Sequence, residues 1–280
     1  MFKKILINLS LATPSSLGLT FDDGMKFYEN GDYKMALSIF SDLSYKGDAK
    51  ATYGLGLMHY DGKGTYQSYI EALYWYQRAS EQGFAEAQFS LGYMYEKGLG
   101  VEKNYKKAIE WYRKSGYQGV AKAQYSLGDI YHYGAKGVRP DYKKAIEWYE
   151  KAANQGFAEA QYILGSIYHY GEIIKQDYEK AFEWFEIAYM QGNSSATLKL
   201  GFMYENGQGV KQDKKTANEL YEKAEVQRNV YAQYQIGFMY EYALDIKDNK
   251  KIAKEWYRKA CDGGHQGSCD NYKKLDEQGY

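Results

Sequence analysis

The sequence predicts an all-α solenoid of helix–turn–helix repeats, and three observations carry that prediction. The chain repeats itself about every 36 residues: Ala72, Ala108, Ala145, Ala181, Ala217 and Ala253 are spaced 36, 37, 36, 36 and 36 apart. Three residues after each alanine stands Trp75, Trp111, Trp148, Trp184, Leu220 or Trp256, which accounts for all five tryptophans. Proline is nearly absent, with 2 in 280 residues, while 29 glycines fall mostly at fixed places in the period. A period of this length belongs to stacked units that bury apolar surface against their neighbours. Scarce proline suits helices, and recurrent glycine suits the turns between them. Such an array grows in one dimension, so a chain of this length needs no domain break.

The N-terminus stands apart from the rhythm. Met1-Phe2-Lys3-Lys4 is basic, Ile5 to Ala12 is a short and mostly apolar run, and small residues lie around Ser16 and Gly18. This layout predicts a secretory signal peptide over residues 1–20, although Pro14-Ser15-Ser16 interrupts it and no A-x-A site follows. A frayed helix is the competing reading. No later run approaches the roughly 18 apolar residues that a membrane span needs. Lys plus Arg and Asp plus Glu are balanced at 36 each, so the chain lacks the charge imbalance expected of a nucleic-acid or anionic-lipid binder. A protein partner is the better default.

Residues 85–120 illustrate one unit. Its first half places Ala87, Leu91, Met94 and Tyr95 at i, i+4, i+7 and i+8, one apolar stripe of a helix. A glycine follows the leucine position in every unit: Gly56, Gly92, Gly128, Gly165, Gly201 and Gly237. Glycine inside a helix costs about 1 kcal/mol against alanine, so its recurrence implies a contact too close for a side chain. The second half places Ala108, Trp111, Tyr112 and Ser115 on another stripe. Ser68, Asn104, Asp141, Asp177, Asp213 and Asn249 precede these second helices as N-cap candidates. Ser68-Tyr69-Ile70-Glu71 has capping-box form. Gly83, Gly119, Gly156, Gly192 and Gly264 suit the left-handed position that ends a helix. The loop pairs Gly98/Gly100 and Gly207/Gly209 follow a helix rather than a strand and lack the Lys-Ser or Lys-Thr of a P-loop, so they read as structural turns.

The pattern A-x3-L-G-x2-Y…G-x-G-V-x2-(D/N)-Y-x-K-A-x2-W-Y-x-K-A…Q-G resembles the Sel-one-like repeat, a relative of the tetratricopeptide repeat with a longer inner loop. It divides the chain into units at 49–84, 85–120, 121–157, 158–193, 194–229 and 230–264. Residues 25–48, with Gly31-Asp32-Tyr33-Lys34-Met35-Ala36 and Phe40, resemble a shorter tetratricopeptide-type unit, and 265–280 reads as a closing helix. The fifth unit departs at Leu220 and Arg228, and the sixth at Tyr242-Ala243-Leu244-Asp245. The resemblance implies a right-handed superhelix whose first helices line the concave side.

Cys261 and Cys269 would fall at the end of one helix and the start of the next. A turn of that length allows the Cα separation a disulfide requires. The surrounding segment resembles the cysteine-rich secreted subgroup of the family, where such a bridge recurs. Two free thiols, or a metal pair with His265, are the alternatives. A bridge here agrees with export, periplasmic or secreted, and the other option is a cytoplasmic protein.

Some members of that subgroup carry a β-lactamase or penicillin-binding label. The chain contains no S-x-x-K, S-D-N or K-T-G. Its four histidines, His59, His132, His169 and His265, form no zinc-enzyme cluster. His59 takes the place of core tyrosines such as Tyr95 and Tyr131 and reads as packed; His132 and His169 read as solvent-exposed. No catalytic residue, cofactor or metal is therefore assigned, and a weak hydrolase is kept only as the alternative function.

The face of each first helix opposite its core stripe is rich in aromatics. From it we take Tyr53, Phe89, Tyr93, Tyr125, Asp129, His132, Tyr162, His169, Phe202, Tyr234 and Phe238 as partner-binding candidates. Aromatic side chains give large contact area at low entropy cost. The competing account is packing between neighbouring first helices, which would consume Tyr53, Phe89, Tyr125 and Tyr162. The expected function is a non-enzymatic scaffold that holds a peptide or a segment of a partner protein.

Overall fold

The computed structural model describes residues 18–171, 173–226, 230–242 and 248–280. Residues 1–17 of the signal peptide expected over 1–20, Arg228 and the Ala243-Leu244-Asp245 departure lie outside the described residues. Within them the fold is all-α, as the periodicity predicts, with one isolated bridge between Ala135 and Val138. The chain forms two compact units, divided after Trp148.

The first unit contains α1 (Phe21–Glu29), α2 (Tyr33–Tyr45), α3 (Ala49–Asp61), α4 (Tyr69–Glu81), α5 (Ala85–Lys97), α6 (Tyr105–Tyr117), α7 (Ala121–Tyr133) and the start of α8 (Tyr142–Asn154). The second contains the end of α8, then α9 (Ala158–Tyr170), α10 (Tyr178–Met190), α11 (Ser194–Asn206), α12 (Lys214–Val226), α13 (Val230–Tyr242), α14 (Asn249–Asp262) and α15 (Gln266–Glu277). Each helix from α2 to α13 has 13 residues, about 20 Å at 1.5 Å per residue. Consecutive helices pack on one another from α1 to α7 and from α9 to α15.

The first-helix glycines have a specific neighbour. A Cβ on Gly92 would lie 2.5 Å from the Tyr112 ring, and one on Gly201 would lie 2.6 Å from Tyr221. The ring of the second helix is thus seated on bare backbone of the first, and tyrosine or phenylalanine at this position is buried in every pair. Tryptophan is less uniform: Trp148 is 5% exposed, whereas Trp75, Trp111, Trp184 and Trp256 are only half-buried.

Caps follow the sequence with two corrections. Ser68, Asn104, Asp141, Asp177 and Asp213 each accept a backbone N–H from the first turn of the following helix. Asn249 does not cap: α14 starts at Asn249 itself, and its N-cap residue is Asp248, held at φ +58°. Ser68 lacks the reciprocal arm of a capping box, because its own N–H donates to the His59 carbonyl at 2.9 Å. The same link recurs as Asn104 to Tyr95 and Asp213 to Tyr204, and it anchors each inner loop to the helix before it. A complete box occurs instead at Thr20 and Asp23, ahead of α1. Gly83 ends α4 at φ +88°, its N–H on the Ser80 carbonyl while the Phe84 N–H reaches Ala79, a Schellman turn.

Repeats are also tied by amides. Gln124 donates to the Gly116 carbonyl at 2.8 Å and Gln161 to the Ala153 carbonyl at 3.0 Å, all four residues buried. Gln118 donates to Gln88 at 2.8 Å, and Gln191 to Gln161 at 2.6 Å. At the C-terminal end a Cys261–Cys269 disulfide, with Cα atoms 4.8 Å apart, joins α14 to α15. His265 is not a metal partner of these cysteines. Its Nδ1 accepts the Ser268 N–H at 3.2 Å and caps α15.

Candidate functional site

Every first helix presents three residues on the face opposite its core stripe, at positions equivalent to 53, 57 and 60. In the first unit, Tyr53 of α3 is half-buried. Its ring lies 5.4 Å from Tyr76 and 5.2 Å from Phe84. Burial pushes its pKa up, with Ser90 of α5 acting in the opposite direction. Phe89 lies 5.6 Å from Tyr112. Tyr93 is half-buried and carries the Lys97 ammonium 5.6 Å from its ring. Tyr125, Asp129 and His132 of α7 are half-buried, with the His132 ring 4.5 Å from Tyr133 and 5.8 Å from Tyr142.

In the second unit, Tyr162 lies 5.8 Å from Phe185, and Tyr234 lies 5.9 Å from Tyr257 and 4.6 Å from His265. The leading position of the three is thus a floor. Its ring rests on the ring that the second helix seats on glycine. Packing therefore claims part of Tyr53, Phe89, Tyr162 and Tyr234, through rings of the second helices rather than through neighbouring first helices. At the middle position Phe238 is 42% exposed, and Phe202 and Tyr93 are half-buried like the leading residues.

The third position is where the expectation of exposed histidine fails. His169 is 5% exposed. Its Nε2 lies 2.9 Å from Gln208 Oε1, and its ring stands 5.4 Å from Tyr178 and 6.0 Å from Phe202. Burial, followed more weakly by the Lys199 charge, pushes its pKa down against the opposing Gln208 bond. The Nδ1 atom is buried without a partner. Sequence reading missed this because Gln208 lies 39 residues away. A signal was present: Gln208 occupies the middle of a Gly-x-Gly turn where Leu99 stands in another repeat.

In three other repeats the third position is a glutamate already engaged. Tyr112, Tyr221 and Tyr257 donate from their hydroxyls to Glu96, Glu205 and Glu241, each at 2.7 Å. Burial first, and the carboxylate next, holds the pKa of each tyrosine far above its usual value. These carboxylates are locks within a helix pair rather than free acids. Among the described residues no group of three or more His, Cys, Asp or Glu side chains is placed to hold a metal ion. No described helix is long and apolar enough to cross a membrane.

Comparison with known proteins agrees with this architecture. A Sel1 repeat protein from Oxalobacter formigenes is 30% identical, with a TM-score of 0.76 over 87% of this chain and 100% of its own. The protective antigen c5321 of uropathogenic Escherichia coli, which displays an SLR fold, is 29% identical, with a TM-score of 0.77 over 94% of this chain. This chain spans 65% of the length of c5321. The C-terminal part of a TPR repeat-containing protein from Cytophaga hutchinsonii, 18% identical with a TM-score of 0.52, covers 90% of this chain and 99% of its own and shares the fold. No match emerges among curated protein sequences. The Sel1 repeat pattern itself matches residues 49–84, 85–120, 121–157, 158–193, 194–225 and 230–265, and on that ground the chain belongs to the Sel1 repeat family.

Proposed function

We propose that this chain is a non-enzymatic scaffold that holds a peptide or a partner segment on the first-helix faces of its repeats. Sel1 repeat proteins generally mediate protein–protein interaction. The observation that carries the finer reading is the layering of each face. Leading-position rings form a packed floor, and middle-position residues such as Tyr93, Asp129, Phe202 and Phe238 rise from it with side-chain surface to spare. A rigid aromatic floor under accessible aromatic and polar side chains suits an extended segment, because the contact area is pre-ordered. The Cys261–Cys269 disulfide supports a periplasmic or secreted setting, since such bonds persist in oxidising compartments.

The test is affinity capture from an extract of the exported fraction, with wild type beside a Phe202→Ala/Phe238→Ala double variant. Loss of one captured protein with an unchanged thermal melt supports the reading. Equal capture by both proteins refutes this face as the site.

A further inference from the structure

The first repeat, residues 49–84, borders a cavity that the interaction face does not use. It measures about 670 Å3 and lies among α2, α3, α4 and the loop after α3, with Leu37, Ser41, His59, Thr65, Trp75 and Arg78 in its walls. That volume falls in the range of small-molecule sites.

The repeat supplies its own controls. At the place of His59 the other five units carry Tyr95, Tyr131, Tyr168, Tyr204 and Tyr240. At the place of Thr65 stand Val101, Val138, Ile174 and Val210. Two positions that are otherwise large or apolar are smaller or more polar here, and both face the same cavity. His59 Nδ1 and Trp75 Nε1 are buried and have no hydrogen-bond partner. Among the described residues Trp75 is the only tryptophan in that state. An unmet buried polar atom costs about 1–3 kcal/mol, and both atoms belong to side chains that wall this cavity.

Charge points the same way. None of the lining residues is acidic. The Arg78 guanidinium stands 5.5 Å from the Trp75 ring and 5.9 Å from Tyr74 and has no carboxylate partner among the described residues. Corresponding positions hold Lys114 and Lys259, whose ammonium groups cover Trp111 and Trp256 at 4.0 and 3.8 Å. Arginine differs from lysine in presenting a planar fork that pairs a carboxylate through two bonds. Leu37, Leu55 and Trp75 supply an apolar wall beside it.

We infer that this cavity binds a carboxylate carried on an aromatic-sized apolar body, with Arg78 pairing the charge and the Trp75 wall taking the body. The same chemistry is offered by a free aromatic acid and by the C-terminus of a peptide ending in phenylalanine.

The probes are 1-naphthylacetate, its neutral amide, and the tripeptide Ala-Ala-Phe with a free carboxylate, titrated into 15N-labelled protein. The indole N–H signal of Trp75, assigned by its absence in Trp75→Phe, is followed. A saturable shift with the acid or the peptide and none with the amide is expected, and the pair of carboxylates tells which source fits. Arg78→Gln is expected to weaken binding by about tenfold or more, the loss of a charge-assisted bond. His59→Tyr, which restores the residue of the other repeats, is expected to abolish binding while leaving the melt unchanged or higher. No shift with either carboxylate, an equal shift with the amide, or wild-type binding by the folded His59→Tyr variant would each overturn the assignment.

Discussion

Two adjacent helix pairs in the second unit answer one structural problem in different ways. In α11/α12 the ring of Tyr221 sits on Gly201 and its hydroxyl donates to Glu205, a lock closed within the pair. In α9/α10 the ring is Phe185, seated on Gly165, and it carries no hydroxyl. The position of the glutamate is then His169, which bonds forward to Gln208 in the loop after α11. The comparison teaches that the ring-on-glycine seat is the invariant part. The polar group above it is free to close its own pair or to link to the next.

The largest effect is expected where the two pairs agree. Phe185→Ala and Tyr221→Ala each remove a fully buried ring and should each cost about 3–5 kcal/mol, as large-to-small changes in a packed core do. Urea unfolding followed by circular dichroism measures this. If one of the two proves nearly neutral, the seat is not the shared support proposed.

A smaller effect separates them. Tyr221→Phe leaves Glu205 without its donor and should cost about 1–3 kcal/mol, while Phe185 already lacks that bond. Alkaline pH sharpens the contrast. The folded pKa of Tyr221 lies above its usual value of 10.0. Its contribution is therefore complete below about pH 10 and is lost as pH rises beyond it, where the unfolded chain releases the proton and the folded one does not. Stability profiles between pH 8 and 11 should fall less steeply for Tyr221→Phe than for wild type. Parallel profiles would remove the lock from the account.

The smallest effect concerns His169. Gln208→Ala deletes the forward bond and should cost about 0.5–1.5 kcal/mol. Because burial depresses the folded pKa of His169 below 6.5, the unfolded chain takes up a proton first as pH falls. Stability is then complete above about pH 6.5 and declines below it. A His169→Gln variant, which keeps a neutral polar side chain, should lose less stability than wild type between pH 7 and 5. An equal loss would mean that other groups govern the acid side.

Much of this was legible in the sequence because it is periodic. Alanine, glycine and aromatic positions recur, so the seat was visible as a glycine that ought to be costly. Its cause, an aromatic ring rather than a neighbouring backbone, needed the coordinates. Caps at Ser68, Asn104, Asp141, Asp177 and Asp213 were read correctly because capping is local. Asn249 failed by one residue, since Asp248 takes the cap position with left-handed backbone. The burial of His169 was missed because it depends on a partner one repeat away, signalled only by Gln208 in the place of Leu99. Aromatic floor and accessible middle row were read as one face, since helical geometry gives direction but not the depth at which a side chain comes to rest.

The amide pairs carry a consequence for how such chains change length. Gln118 meets Gln88 and Gln191 meets Gln161 across the same interval of 30 residues, between residues of the same kind. Each interface is thus specified by a handshake that is identical in donor and acceptor wherever it recurs. Excising one whole period from within such a run would bring an equivalent glutamine to an equivalent glutamine. A gene encoding this fold can therefore gain or lose entire units by recombination without having to evolve a new junction.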